Sequence, residues 1–431
     1  MKKTLLLSVV ASTLIMAGGD IEPVAVPVVE EVVSGWDFSG QAVVYYQTGD
    51  WNGGSLFDQA ESRANAGLQL RAVNKDVFWG IGAGADVSGL ATLGLENDVV
   101  GNIMQGAGDE DFGRGGWISQ AYLTYGFGNT SLKAGRQELP KGLSPFAFSE
   151  GWNVFKNTFD SLLVVNTDIT DTTIVGAWVE GANHNNVYGA PTGNIPMIAS
   201  AIADGGRAPL LGGNMADFSK VNGGAGIYML TLQNKSVQDL TLTGTYYYAA
   251  DYLDNIAGLA TGNDAHILWG DAKYNFNTNG IVLGLQGGTV MDDDFSDDTT
   301  AFGAKIGGNF DMFSASLAYS TVNDGGVGVF NVGGVKTPLY TQLILNQDFI
   351  RFDNDTIVAK AGLKALGGKF GLAYNYTNAD TLDIDYTEVD VTYKTKVFND
   401  STTLFAGYVY QDLDGWTDSR NLIRVWGRYN F

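Results

Sequence analysis

The 431-residue chain has no cysteine, only two histidines and eight prolines. Without cysteine it can form neither a disulfide nor a thiolate metal site, and it cannot carry a lipid on an N-terminal cysteine. Histidine is the side chain most often used as a catalytic base. The sequence pattern places neither His184 nor His266 beside a serine or an aspartate, so we expect no enzyme.

Long apolar runs are absent as well. No segment offers about 18 consecutive apolar residues, so no membrane-spanning helix is expected. A shorter run, Leu5 to Met16, follows two lysines and precedes Ala17-Gly18-Gly19. This order is typical of a secretory signal peptide, which we place at residues 1–19 with cleavage inside its last three residues. Residues 20–35 are expected to form a periplasmic N-terminal tail.

Basic residues are in the minority, with 25 Lys and Arg against 47 Asp and Glu, a net charge of -22. A strongly acidic chain repels nucleic acid, which excludes that partner. Two acidic segments, residues 292–298 and 412–415, could gather oxygen atoms around a divalent cation. The first lacks the glycine and glutamate of an EF-hand loop and the second is equally weak, so solvated loops are favoured and no cofactor is predicted.

What the chain has in abundance is alternation of apolar and polar residues with a period of two. In the last segment one face carries Ile423, Val425, Gly427, Tyr429 and Phe431, and the other carries Leu422, Arg424, Trp426, Arg428 and Asn430. The same unit of about ten alternating residues followed by a connection recurs from Trp36 onward. This repetition predicts an all-β fold, a transmembrane antiparallel β-barrel of about 18 strands over residues 36–431.

The predicted strands cover most of the chain. They lie near residues 36–47, 63–72, 77–88, 116–127, 130–137, 159–168, 172–180, 223–232, 237–248, 265–276, 281–291, 300–310, 312–321, 356–365, 369–378, 384–397, 402–411 and 421–431.

The connections alternate in length. Short ones such as residues 74–76 are expected to be periplasmic turns, and long ones such as residues 89–115, 181–222 and 322–355 extracellular loops. All prolines fall in the tail or in proposed loops, where no strand loses a hydrogen bond. Aromatic residues gather near the proposed periplasmic strand ends, as expected for an interfacial girdle.

A barrel of this size is too wide for side chains to fill, so a water-filled lumen is expected. The charged residues predicted to line it are Arg63, Arg71, Lys133, Lys305, Lys360, Lys364, Glu388, Asp390, Lys394, Arg424 and Arg428; Lys273 and Lys396 share their face. The four arginines are expected to form one stripe on the wall where the last strand meets the first. Glu388 and Asp390 are expected to neutralise Lys394.

Residues 138–158 are the candidate constriction loop, because their two prolines and four aromatic residues suit a loop that packs against protein. Folded into the lumen, the loop would present Glu138, Lys141, Glu150 and Lys156 as lining charges. The alternative is a loop that packs over the mouth of the barrel or against a neighbouring subunit.

The chain stops on an aromatic residue that has a second aromatic two positions before it, Tyr429 and Phe431. This ending looks like the assembly signal that bacterial outer-membrane barrels present to the barrel-assembly machinery. The alternative for this stretch alone is an edge strand of a soluble sheet.

Several short motifs resemble the major outer-membrane porins of epsilonproteobacteria, the Campylobacter type, with OprD-like porins as wider relatives. The motifs are residues 16–20, Leu132 to Gln137 opening into Trp152 to Asp160, and the closing strand. The resemblance implies an 18-stranded barrel in the outer membrane of a Gram-negative bacterium, in contact with lipid and lipopolysaccharide, and a homotrimer. Arg136 departs from the pattern, since it shares the face of apolar neighbours.

These observations favour an outer-membrane porin through which ions and small hydrophilic solutes diffuse passively, with a modest preference for cations. One alternative is a channel selective for anionic solutes that the arginine stripe recognises. Another is a non-conducting surface adhesin or structural barrel, with residues 181–222 as its contact surface.

Overall fold

The computed structural model describes residues 35–108, 114–188, 214–252, 263–276, 280–292, 297–379 and 383–431. The predicted signal peptide and nearly all of the predicted tail lie outside these residues. Within them, no helix is both long enough and apolar enough to cross a membrane.

Strands dominate the described residues. They are β1 Asp37–Gly49, β2 Ser62–Phe78, β3 Ile81–Ala91, β4 Gly115–Phe127, β5 Thr130–Gln137, β6 Phe159–Asn166, β7 Thr172–Ala182, β8 Ser219–Gly224, β9 Ile227–Asn234, β10 Leu240–Ala249, β11 Ala265–Phe276, β12 Ile281–Asp292, β13 Thr299–Phe310, β14 Phe313–Val322, β15 Asn354–Ala365, β16 Gly368–Ala379, β17 Ile384–Val397, β18 Thr402–Leu413 and β19 Arg420–Asn430. Among the same described residues, helical structure is limited to 3-10 turns at Trp51–Gly53, Gln59–Glu61 and Leu95–Asn97 and one α-helical turn at Gln347–Ile350.

The sheet closes on itself, because β1 pairs with β2 on one side and with β19 on the other. Strands that follow each other in the chain are neighbours in the wall, and every described pair is antiparallel. Both β8 and β9 pair with β7, at Ala182↔Ser219 and Val179↔Ile227, so they act as one interrupted strand. The described wall is therefore a closed barrel of 18 strand positions, which confirms the predicted fold.

Side chains alternate between the outside and the inside of this wall. On β19, Val425 and Tyr429 are exposed on the outside, while Leu422 and Arg424 are buried on the inside. The same alternation on other strands builds an exposed apolar belt that includes Leu68, Leu123, Leu162, Leu230, Leu268, Leu285, Ile306, Leu317, Ile357, Leu372 and Val391. An exterior of this composition suits hydrocarbon better than water.

The short and long connections lie at opposite ends of the barrel. At one end the chain reverses within a few residues, for example at residues 128–129, 311–312 and 366–367. At the other end the links are longer, including residues 138–158 and 323–353. We refer to these as the short-turn end and the long-loop end.

The first short turn lies later than the sequence predicts. Strand β2 runs through the predicted turn at residues 74–76, and the chain reverses at Trp79 and Gly80, whose φ angles are 51° and 80°. The pairing register of β2 with β3 shifts in this region, which marks a bulge. Asn74 Oδ1 accepts a hydrogen bond from the Asp76 N–H at 3.0 Å, and Asp76 Oδ1 accepts one from the Gly80 N–H at 2.8 Å. The polar residues that resemble a turn therefore stabilise a bulge.

Candidate functional site: a lumen crossed by two loops

Residues 138–158, which we call the first inward loop, lie inside the barrel. The ring of Phe146 contacts the ring of Tyr247, which points inward from β10, at 5.8 Å between centroids. On the opposite wall, the Tyr45 hydroxyl on β1 donates a hydrogen bond to the Trp152 carbonyl at 2.9 Å. The loop thus crosses the lumen from one wall to the other.

Residues 323–353, the second inward loop, also enter the barrel. The sequence pattern predicts only an extracellular loop here. Val329, Leu339, Leu343 and Ile350 in this loop are buried. The apolar content of this segment could have indicated its burial, because solvent-exposed loops contain few valines and leucines.

The two inward loops are hydrogen-bonded to each other along their backbones. The Val332 N–H donates to the Phe146 carbonyl at 2.9 Å. The side chain of Asn331 both accepts from the Phe148 N–H at 2.9 Å and donates to the Phe148 carbonyl at 2.7 Å. The Lys141 amine donates to the Thr337 carbonyl at 2.9 Å. The loops therefore form one body inside the barrel.

Glu150 is the centre of this contact. Its Oε1 accepts from Asn331 Nδ2 at 2.8 Å and from the Lys336 N–H at 2.7 Å. Its Oε2 accepts from Trp152 Nε1 at 2.9 Å and from the Val335 N–H at 3.1 Å. The side chain is only 3% exposed, so Glu150 is a buried tie between the two loops.

Charged side chains of the wall hold the second inward loop. Glu388 Oε1 on β17 accepts from the Leu345 N–H at 2.9 Å, and Asp390 Oδ2 accepts from the Ile344 N–H at 3.3 Å. The Lys360 amine on β15 donates to the Gln342 carbonyl at 3.0 Å. Both carboxylates face inward as predicted, but they are fully buried beneath the second inward loop. Their contacts bind this loop, whereas the sequence predicts that they neutralise Lys394.

Below the two loops lies a cavity of about 1010 Å³ that reaches the short-turn end. Its described lining contains eleven basic side chains and four acidic ones. The basic residues are Lys141, Lys156, Lys273, Lys305, Lys336, Lys360, Lys364, Lys369, Lys394, Lys396 and Arg424, and the acidic residues are Glu138, Glu150, Asp271 and Asp400. The lining is thus strongly basic although the chain as a whole is acidic.

The four arginines of the predicted stripe are each engaged in a local contact. Arg424 donates twice to Gln47 Oε1, at 3.0 and 2.8 Å. Arg428 donates to the Val154 carbonyl of the first inward loop at 3.0 Å. Of these two residues, only Arg424 reaches the cavity.

The remaining predicted lining charges near β2 lie away from the cavity. Arg63 donates to the Tyr188 carbonyl at 2.7 Å. Arg71 forms a bidentate ion pair with Asp86, with Nε 3.0 Å from Oδ1 and Nη2 2.7 Å from Oδ2. Lys133 lies over the ring of Tyr122 at 3.7 Å. Most of the basic lining is therefore on the wall from β11 to β17, and of the predicted arginine stripe only Arg424 reaches the cavity.

Asp271 and Tyr340 are part of the lumen that sequence reasoning missed. The Tyr340 hydroxyl of the second inward loop donates to Asp271 on β11, and the Lys273 amine lies 3.2 Å from the same carboxylate. The Tyr340 ring fits because Gly284 on β12 has no side chain, since a Cβ there would lie 2.9 Å from the ring. This arrangement anchors the loop to the basic wall through one aromatic side chain.

Two lysines of the inward loops lose much of their basicity. Burial lowers the pKa of the Lys141 amine to about 7, although the Glu150 carboxylate acts in the opposite direction. Burial lowers the pKa of the Lys336 amine to about 8, again against the effect of Glu150. The positive charge contributed by these two side chains therefore depends on pH near neutrality.

Two indole rings of the cavity lining lie against cations. The Trp152 ring of the first inward loop has the Arg424 guanidinium 5.2 Å and the Lys336 amine 5.4 Å from its centroid. The Trp426 ring on β19 has the Lys394 amine at 5.8 Å. These groupings combine an apolar face with positive charge, which suits the body and the carboxylate of a small organic anion.

Arg136 faces outward. It pairs across the sheet with Ala121, forms an ion pair with Asp160 at 2.8 Å, and lies 3.2 Å over the Phe218 ring. Strand β5 continues to Gln137 and its pairing with β4 is unbroken from Thr130 to Arg136, so the alternation of the strand keeps the guanidinium on the outer face. Arg136 is thus a charge on the outer wall.

The C-terminal aromatic residues lie at the seam where the barrel closes. The Phe431 N–H donates to the Gly40 carbonyl at 3.0 Å, and the Gly40 N–H donates to the Phe431 carbonyl at 2.8 Å. The Phe431 ring stacks on Tyr429 at 5.7 Å. Their role as an assembly signal remains a proposal.

Neither histidine belongs to the cavity lining. His184 Nε2 lies 3.0 Å from Ser219 Oγ, a pair that the sequence pattern did not place, and His266 lies on the outer wall beside Tyr246. The described residues contain no group of three or more His, Asp or Glu side chains that could hold a metal ion. Residues 293–296 of the first candidate cation segment lie outside the described part of the chain.

No protein-family model matches the chain, and no curated protein matches it. Solved structures do. OccK8 (OprE) of Pseudomonas aeruginosa has a TM-score of 0.67 and 16% identity, covering 92% of this chain and 98% of that one. OccAB3 of Acinetobacter baumannii has a TM-score of 0.68 and 16% identity, with 92% and 99% coverage. OpdK of Pseudomonas aeruginosa, solved with vanillate, has a TM-score of 0.66 and 12% identity, with 92% and 98% coverage.

At these identities the similarity shows the fold alone. The likeness to OprD-like porins that the sequence predicts is therefore found in the fold, and the resemblance to the Campylobacter porins remains an expectation.

Proposed function

We propose that the protein is a channel of the bacterial outer membrane through which small anionic solutes diffuse. The observation that carries this proposal is the strongly basic lining of the cavity, eleven basic side chains against four acidic ones, inside a barrel with an apolar exterior. A positive potential in a confined, water-filled space concentrates anions and repels cations.

The selectivity is the opposite of the modest cation preference expected from the sequence. The expected cation preference was based on the acidic loops. A solute inside the lumen lies closer to the charges of the lining, so the lining has the larger effect on which ions pass. The vanillate with which OpdK was solved is a small aromatic carboxylate. By analogy of fold alone, such anions are reasonable solutes to test on this chain.

The test is the reversal potential of the purified protein in planar bilayers under a salt gradient. We expect the native channel to prefer anions, and a Lys305→Met, Lys364→Met variant to shift toward cations, because both amines line the cavity. Lys220→Met is the matched control. It removes the same kind of charge from an exposed ion pair with Glu180 that does not line the cavity, so its reversal potential should equal that of the native protein.

Each outcome decides something. A native channel that prefers cations contradicts the anion part of the proposal and leaves the general porin. A folded protein that carries no current contradicts both and favours the surface adhesin or structural barrel.

The proposal includes the cellular context expected from the sequence. Residues 1–19 would direct export and be removed, which sequencing of the mature N-terminus tests. The barrel would lie among phospholipid and lipopolysaccharide, inserted by the barrel-assembly machinery. A homotrimer would appear as a threefold mass in native mass spectrometry, and a monomeric mass would contradict it.

A further inference from the structure

The short-turn end of the barrel carries an unexpected set of side chains. Each of the seven short turns that the structure fully describes holds or directly adjoins at least one exposed large apolar residue, for example Trp79, Phe127, Ile169, Val237, Met312, Leu366 and Phe398. Turns that project into water are normally built from Gly, Asn, Asp, Ser and Pro. Here each of these turns combines such residues with at least one exposed large apolar side chain.

Three of these residues have the most exposed large apolar side chains of the described structure. Trp79 is 83% exposed, Leu366 84% and Phe398 79%. All three have left-handed backbones, with φ of 51°, 53° and 53°. Residues with a bulky side chain rarely adopt this conformation, which glycine and asparagine adopt readily. These three side chains make the left-handed backbone of their turns less favourable, which indicates that they have a role other than forming the turn.

The long-loop end differs. Among its described links, exposed large apolar residues occur in only two, as Phe57, Leu93 and Val99. The exposed residues of its outer rim include tyrosines whose hydroxyls bind acidic side chains, such as Tyr319 with Asp355 at 2.6 Å. Phe57 and Leu93 also have left-handed backbones, so exposed apolar residues of this kind occur at both ends, but among the described connections they are more frequent at the short-turn end.

The apolar tips continue the lipid-facing belt. Trp79 stacks on Phe78, which lies on the outer face of β2, at 4.2 Å between centroids. Phe310 and Phe313, on either side of the turn that holds Met312, are also exposed. At these two turns the exposed apolar surface of the belt continues to the tip of the turn.

From this continuity we infer that the short turns are inserted into the headgroup layer of the phospholipid leaflet, so that Trp79, Leu366, Phe398 and their counterparts anchor the barrel. The occupant of this surface is the phospholipid interface, where side chains of this kind are most stable. At the short-turn end, the lumen then opens at the level of the headgroups. The inference rests on the proposed function, because it requires the barrel to span a bilayer.

The chain contains no cysteine, so a single introduced cysteine can be labelled without first removing native cysteines. We would place an environment-sensitive NBD fluorophore at Leu366→Cys and at Phe398→Cys and reconstitute each protein into phosphatidylcholine vesicles. Separate vesicles would carry a nitroxide quencher on the lipid headgroup or at the middle of the acyl chain. Leu285→Cys in the centre of the belt and Asp98→Cys in an exposed long-loop link are the controls.

We expect the probes at 366 and 398 to show blue-shifted emission and to be quenched more strongly by the headgroup nitroxide than by the mid-chain one. The probe at 285 should show the reverse order, and the probe at 98 should resemble a probe in water. If the probes at 366 and 398 behave like the probe at 98 while that at 285 is quenched, the barrel spans the bilayer but its turns project into water, and the inference is overturned. If the probe at 285 is also unquenched, the proposed membrane function fails.

Discussion

Replacing Glu150 with glutamine should release the second inward loop from the first. The glutamate accepts four hydrogen bonds, two at each oxygen, and three of the donors belong to the second inward loop: Asn331 Nδ2 and the backbone N–H groups of Val335 and Lys336. Glutamine keeps one acceptor oxygen and replaces the other with an NH₂ group. In either rotamer, two donors then face another donor.

The expected loss can be estimated from these contacts. A hydrogen bond to a charged group contributes about 1.5–3 kcal/mol, so two lost bonds amount to roughly 3–6 kcal/mol. Water from the adjacent cavity can replace part of this, which leaves about 3 kcal/mol. Since 1.4 kcal/mol is about a factor of ten, the ratio of docked to undocked loop should fall about a hundredfold.

Hydrogen exchange at the amide of Val332 reads this ratio, because its N–H donates to the Phe146 carbonyl of the first inward loop and not to residue 150. If this amide exchanges only when the loop undocks, its rate in Glu150→Gln should rise by about the same hundredfold. Single-channel recordings should show additional current levels as the loop moves.

Glu138→Gln is the matched control. Glu138 begins the same loop and is about one-third exposed, and it pairs with Lys156 at 3.1 Å. A partly exposed pair of this kind contributes about 1 kcal/mol or less, and none of its partners lies in the second inward loop. Native exchange rates in Glu150→Gln, or equal acceleration in both variants, would show that Glu150 does not tie the loops together.

Three further predictions concern pH, the seam and the lumen wall. Raising the pH from about 6 to about 9 should weaken anion selectivity in bilayers, because burial lowers the pKa of Lys141 to about 7 and that of Lys336 to about 8, so both amines lose their charge over this range; Lys141→Met should show a smaller change than the native protein, and Lys141→Met, Lys336→Met a smaller one still. Gly40→Val should slow barrel closure, since even a Cβ would lie 2.6 Å from the Phe431 ring, and refolding followed by heat-modifiable gel mobility should show less folded protein. Gly284→Val should expel the Tyr340 ring from the wall and change the single-channel conductance, and an unchanged conductance would mean that the ring does not restrict the path.

The fold could be predicted because each strand separates two different environments. A period of two in a strand such as β19 follows from an apolar exterior and a polar interior, so the residues report the architecture directly. Local turn chemistry was less informative. Residues 74–76 have the composition of a turn, yet their side chains satisfy a bulge, and no local pattern separates these two uses of Asn and Asp.

The site could be predicted only in part, because periodicity gives a side chain's direction and not its partners. Glu388 and Asp390 face inward as expected, but the groups that they bind belong to a loop some 40 residues away, as the separation of 43 residues from Leu345 illustrates. Glu150 shows the same limit, since its hydrogen-bond donors are up to 186 residues distant. The second inward loop has no periodic pattern, so its position depends on tertiary contacts that a linear reading does not contain.

The closed seam has a consequence for how the chain folds. The side chain of Asp50 meets Asn421 across a sequence separation of 371 residues, and β1 is bonded along its length to β19. Joining chain ends so far apart costs about 5 kcal/mol of chain entropy, roughly twice the cost for a loop of about 15 residues. Until the last strand arrives, β1 and β18 both expose unpaired backbone groups that water or other chains can occupy. Closure is therefore the step with the least local assistance, and it depends on the eleven residues of β19.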